Sequence, residues 1–86
     1  MVEKQLVITN PSGLHTRPAK KIVDEAKKYE CEITILKGDK DGNAKNLIKL
    51  MKLGISPGNT ITLRCDGSGE QEALDTIGNI ILTLSE

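Results

Sequence analysis

The sequence predicts an α+β fold in which three helices cover one face of a four-stranded antiparallel sheet, with elements in the order β-α-β-β-α-β-α. Three observations carry this. Short segments alternate apolar and polar residues, as in Leu6/Ile8, Cys31/Ile33/Ile35 and Ile61/Leu63/Cys65, the pattern of strands buried on one side. Two longer segments repeat their apolar residues at helical spacing instead. Clusters of Gly, Pro, Asn and Asp separate them, and helices gathered on one face are the economical way to cover such a sheet.

Residues 3 to 10 place Leu6 and Ile8 on one side and Gln5, Val7 and Thr9 on the other, a half-buried first strand. Pro11, Ser12 and Gly13 stop it. From Thr16 to Tyr29, the residues Ala19, Ile22, Val23 and Ala26 fall at i, i+3, i+4 and i+7, one face of an amphipathic helix. Lys21 with Glu25 and Asp24 with Lys28 stand one turn apart on its solvated side. Cys31 to Leu36 is a second strand running into Gly38 and Asp39. The Asp41-Gly42 step is a hairpin signal, so a short third strand is expected over Asn43 to Lys45. Asn46 can cap a brief helix over Leu47 to Leu53, which Gly54 can end. Pro57 and Gly58 turn the chain into a fourth strand, Thr60 to Cys65. Ser68, with Gln71 three residues on, fits a capping box opening a last helix whose stripe is Ala73, Leu74, Ile77, Ile80, Ile81 and Leu84.

With 86 residues the chain has room for one core and one domain over 1–86. Twelve Lys plus Arg balance twelve Asp plus Glu, so no global field draws the chain to nucleic acid or anionic lipid. Tyr29 is the single aromatic residue, which removes the stacking platform of most single-strand binders. No nucleic-acid partner is expected. No leader and no bilayer-length apolar run is visible, so no membrane insertion is expected and a cytoplasmic location is. Cys31 and Cys65 lie far apart in sequence, without the paired spacing of a zinc knuckle or redox motif; two buried, reduced thiols are the reading preferred.

Reactive and anion-binding groups concentrate in Asn10-Pro-Ser-Gly-Leu-His-Thr-Arg-Pro18. His15, the sole histidine, stands at the mouth of the first helix, where backbone N–H groups and the positive helix end favour an anion. Arg17 can offer a guanidinium fork to phosphoryl oxygens. Pro18 suits the first helical turn, and neutral imidazole is a competent nucleophile near pH 7. On chemistry alone, a solitary loop histidine is more often a plain surface residue. No second histidine or carboxylate cluster accompanies it for a metal, and no orienting acid is near for hydrolysis by Ser12 with His15 as base. No metal or cofactor is expected.

In the short second helix, Leu47, Ile48 and Met51 project from one side and Leu50 and Leu53 from another. Only one side can face the sheet. The other is left as an exposed apolar cluster, and such clusters with a charged rim often mark docking sites.

The run Gly13-Leu-His-Thr-Arg-Pro-Ala19, the later Ala44-Lys-Asn-Leu-Ile-Lys-Leu50 followed by Gly54, and the overall length resemble the HPr family, the histidine-containing phosphocarriers of the phosphoenolpyruvate-dependent sugar phosphotransferase system. The resemblance covers nearly the whole chain. It implies an open-faced sandwich with strand order 1-4-2-3, placing Cys31 and Cys65 on neighbouring strands. It implies phosphorylation of His15 on Nδ1 by enzyme I and transfer onward to enzyme IIA proteins or domains. Arg17 would contact the phosphoryl group, with Thr16, Arg17 and Ser12 holding its oxygens. Leu47, Ile48 and Met51 would contact donor and acceptor proteins, with Lys20, Lys49 and Lys52, and also Lys27 and Lys45, as a basic rim for acidic partners. A stoichiometric monomeric carrier is expected, not an enzyme with a substrate of its own.

Asn46 stands where many members of the family carry a regulatory serine, and it has no hydroxyl to phosphorylate. Lys20 replaces a small residue, and Asp24 adds an acid near the partner surface. Two other classes compete with the carrier: a regulatory domain of the same fold that no longer carries phosphate, and an unrelated small α/β binding domain. Retention of both His15 and Arg17 argues against the first, and neutral charge with one aromatic residue against an RNA-binding form of the second.

Overall fold

A computed structural model describes residues 1–85. The elements run β1 (Val2–Val7), α1 (Thr16–Ala26), β2 (Glu32–Lys37), β3 (Lys40–Asn43), α2 (Leu47–Lys52), β4 (Thr60–Asp66) and α3 (Glu70–Leu82). The strands form one antiparallel sheet in the order β1-β4-β2-β3. Both the element order and the strand order are those expected. Register follows from alternation, since a one-residue slip would turn every buried side chain to solvent. Leu6 lies opposite Ile61, and Ile35 opposite Leu63.

The core lies between the apolar face of the sheet and the helices. Ile33, Ile35, Ile61 and Leu63 from the sheet, Ile22 from α1, Leu50 from α2 and Ile77 and Ile81 from α3 are all buried. Each such side chain contributes roughly 1.5 to 3 kcal/mol of burial. On α1 the predicted stripe Ala19, Ile22, Val23 and Ala26 is the buried one, while Asp24 pairs with Lys20 at 3.4 Å and Glu25 with Lys28 at 3.1 Å on the wet side. The helix is shorter than predicted. Its last turn tightens after Ala26, with Lys28 N–H bonding the Glu25 carbonyl and Tyr29 N–H that of Ala26, and the Tyr29 carbonyl turns away to accept the Lys45 ammonium at 2.6 Å.

The third strand corrects the sequence reading. It occupies Lys40–Asn43, and Lys37 pairs with Lys40, so the two-residue turn is Gly38-Asp39 and not Asp41-Gly42. Gly38 adopts φ +60°, the left-handed first position of a tight hairpin. Gly42 is needed for a different reason: a Cβ there would stand 3.0 Å from the Lys49 carbonyl oxygen and 3.2 Å from Leu53. The backbone of α2 is laid directly on β3, which two-residue turn statistics cannot foresee.

The start of α3 is a second correction. The cap is Gly69 in a left-handed conformation, with no side-chain bond, instead of the Ser68 capping box. Glu70 does that work from inside the helix, accepting the Gly67 N–H at 3.0 Å while its carboxylate also pairs with the amino terminus at 3.0 Å. These contacts hold the Glu70 carboxyl below its usual range, the Gly67 bond first, and the pairing with Glu70 raises the terminal ammonium. Gln71 is spent on Asp75 at 3.0 Å. The cap of α2 is as expected, with the Asn46 side chain accepting the Lys49 N–H at 3.1 Å.

Candidate phosphoryl-accepting site

The loop between β1 and α1 is shaped by what holds its two ends. Ile8 N–H bonds the Asn59 carbonyl at 2.9 Å, and Gly58 N–H returns to the Ile8 carbonyl at 2.7 Å. Leu14 N–H reaches the Ile55 carbonyl at 3.1 Å. The buried Asn10 side chain donates to the Gly13 carbonyl at 2.7 Å, closing the turn from inside. Gly13 has φ +61°, and any Cβ there would collide with the Ile55 carbonyl oxygen. A side chain at position 13 would therefore push the loop off its support.

That support presents His15 as the N-cap of α1. Its backbone is extended, at φ −79° and ψ −171°, and its imidazole makes no capping bond, so the ring is left to solvent. The first helical bond runs from Ala19 N–H to the His15 carbonyl at 2.9 Å. Thr16 and Arg17 head the helix, and no acidic residue sits in its first turn to offset its positive end. Ser12, His15, Thr16, Arg17 and Pro18 together line an open cavity of about 380 Å³. The residues that the sequence marked for phosphate thus share one concavity, facing a helix mouth that favours anions. Among the described residues no cluster of side chains could hold a metal ion.

Next to this cavity lies the surface expected to meet partners. Leu50 of α2 and Leu53, which caps its end, are buried, whereas Ile48 is 65% and Met51 40% exposed and Leu47 is half-buried. The Thr16 hydroxyl donates to the Met51 sulfur at 3.9 Å, so the apolar patch abuts the start of α1. Lys20, Lys27, Lys49 and Lys52 are exposed, with Lys20 already paired to Asp24. Lys45 is not a rim residue; its ammonium is tied to the Tyr29 carbonyl. Sequence reasoning missed three supporting contacts: the Asn10 brace, the Thr16–Met51 link and the bond from Lys37 to the end of α2 at Gly54. Only the first left a local signal, an asparagine opening an Asn-Pro-Ser-Gly turn.

On the sheet side, Cys31 and Cys65 are free, buried thiols. Cys65 lies opposite Ile33, which puts the two cysteines diagonally across neighbouring strands. Burial, then the nearby Cys31, pushes the Cys65 thiol up to about 11. The Cys65 thiol therefore stays protonated at neutral pH, and both buried side chains contribute packing.

A four-stranded antiparallel sheet with three helices thus presents a solvated histidine at the mouth of the first helix. A family model described as the phosphorylation site of the phosphotransferase-system HPr component matches residues 2–82. The phosphocarrier protein HPr of Buchnera aphidicola is 44% identical over 84 residues, spanning 98% of this chain and 99% of the relative. Among solved structures, HPr from Thermoanaerobacter tengcongensis superposes with a TM-score of 0.93 at 37% identity, over 96% of this chain and 93% of that one. Bacillus subtilis Crh, whose crystal structure is a dimer with a swapping domain, gives 0.78 at 34% identity over 95% and 94%. The chain belongs to the HPr family of the phosphotransferase system.

Proposed function

We propose that the chain is one carrier domain that takes a phosphoryl group from phospho-enzyme I on Nδ1 of His15 and hands it to enzyme IIA proteins or domains. The observation that carries this reading is the His15 ring itself, solvated at the N-cap of α1 in the cavity shared with Ser12, Thr16 and Arg17. In the forward step the lone pair of Nδ1 attacks phosphorus, the N–P bond to the donor breaks and a new N–P bond forms at His15. The Arg17 guanidinium and the N–H groups at the head of α1 bear the charge on the equatorial oxygens, and such stabilisation needs no proton transfer. In the second step the same bond breaks toward the acceptor, so the protein is restored and acts as a stoichiometric carrier, not an enzyme. Partners dock on Leu47, Ile48 and Met51, with Lys20, Lys49 and Lys52 steering acidic surfaces.

The carrier works as a cytoplasmic monomer in this reading. Free Cys31 and Cys65 accord with the compartment. The deciding experiment is intact-protein mass after incubation with enzyme I, phosphoenolpyruvate and magnesium. One acid-labile phosphoryl group is expected on the wild type and none on His15→Ala. A phosphorylated His15→Ala, or an unmodified wild type, refutes the assignment. Light scattering of the same sample checks the monomer against a swapped dimer.

A further inference from the structure

We propose that Lys37 is a positioning residue for partner docking: its ammonium fastens the C-terminal end of α2 to the end of β2, and so fixes how Ile48 and Met51 stand beside His15. The inference rests on the reading above that the exposed side of α2 meets partner proteins. With six residues, α2 is far below the roughly 12 to 15 at which an isolated helix becomes marginally stable. Its orientation must be imposed from outside. Leu50 and Leu53 anchor the buried side, Leu47 packs partly against the core and the α2 backbone lies on Gly42 of β3, which leaves the precise turn of so short a helix to what holds its ends.

The ends remove that freedom. At the N-terminal end the Asn46 side chain takes the Lys49 N–H. At the other end the terminal carbonyls of a helix lack helical donors and carry its negative pole. Lys37 Nζ donates to the Gly54 carbonyl at 2.8 Å and the Leu53 carbonyl at 3.4 Å. Lys37 can act as a fixed post because it closes β2, an inner strand paired with both β3 and β4. The Lys37 side chain is half-buried; its bond to Leu53 is partly shielded and the shorter one to Gly54 is exposed. None of this touches the His15 cavity, whose lining comes from Ser12 to Pro18. The contribution of Lys37 therefore belongs to recognition and not to the transfer step.

The test measures KM and kcat for phosphoryl acceptance from phospho-enzyme I, with thermal midpoints, in the wild type, Lys37→Met, Lys37→Arg and Met51→Glu. Lys37→Met keeps the aliphatic stem and removes the donors. It is expected to raise KM about five- to tenfold, the size of one ordinary net hydrogen bond at an exposed site, at unchanged kcat, with Lys37→Arg restoring most of the loss. Met51→Glu separates the two layers of the argument. If Met51→Glu raises KM and Lys37→Met does not, the docking reading stands and the role of Lys37 is refuted. If Met51→Glu leaves KM unchanged, the docking surface is wrong and the proposal falls with it. A rise in KM that Lys37→Arg does not reverse, or a matching fall in kcat, also overturns it.

Discussion

His15 does little for the fold, and that is a condition of its work. The ring makes no capping bond, while its carbonyl accepts the first helical N–H whatever side chain stands above it. His15→Ala is therefore expected to change stability by under about 0.5 kcal/mol, measured by urea unfolding, even as acceptance is lost. A variant that unfolded would make the residue structural. Gly13 behaves in the opposite way: it meets no phosphate, yet the contact it permits with Ile55 holds the loop. Gly13 was visible in the sequence by its turn, whereas chemistry alone made His15 only a candidate and the family resemblance singled it out. The brace from Asn10 was not separately foreseen, because nothing in a loop sequence announces that an asparagine side chain is buried.

At the level of elements, periodicity identified α1, β2, β4 and α3 because each buries one stripe and wets the other. It failed where the chain is short. A glycine inside a four-residue strand reads as a turn, and only the approach of α2 shows that Gly42 serves packing. Likewise Ser68 and Gln71 have the spacing of a capping box, but Glu70 reaches both Gly67 and the amino terminus and wins the position. Gly78 lies inside α3, where glycine weakens a helix relative to alanine, and its surroundings define a test. A Cβ there would meet only the mobile end of Lys4, at 2.7 Å from Cε, which can swing aside. Gly78→Ala is expected to stabilise the domain by about 0.5 to 1 kcal/mol, the helix propensity of alanine over glycine less a small cost at Lys4. A lowered urea midpoint would show that Lys4 cannot yield. On α2, Met51→Glu is expected to impair transfer while circular dichroism and the unfolding midpoint stay near wild type, since the side chain is 40% exposed.

For the whole molecule, stability at alkaline pH is tied to the Cys65 thiol in the core. The Cys65 thiol is pushed up to about 11 in the folded chain from an ordinary value near 9. Below the ordinary value both states are protonated and pH has no effect through this group. Between the two values the unfolded chain loses the proton and the folded chain keeps it, so stability falls as pH rises. About 1 kcal/mol is expected to be lost by pH 10 through this group. Urea unfolding at pH 8 and 10 checks it, with Cys65→Ala removing that part of the slope; an identical slope in the variant would rule the thiol out. The sequence read both cysteines as buried, reduced thiols and the resemblance put them on neighbouring strands; their diagonal placement came only with the register of the sheet.

The shortness of α2 has a last consequence for anyone who wishes to block the carrier. The surface of Ile48 and Met51 is a conformational epitope, assembled by β3 beneath it, Asn46 at one end and Gly54 held by Lys37 at the other. An excised peptide covering residues 46–54 carries every exposed side chain of that surface and none of its scaffolding. Such a peptide is a random coil and a poor competitor, whereas a mimic stapled into one helical turn and a half keeps the spacing that the parent domain imposes.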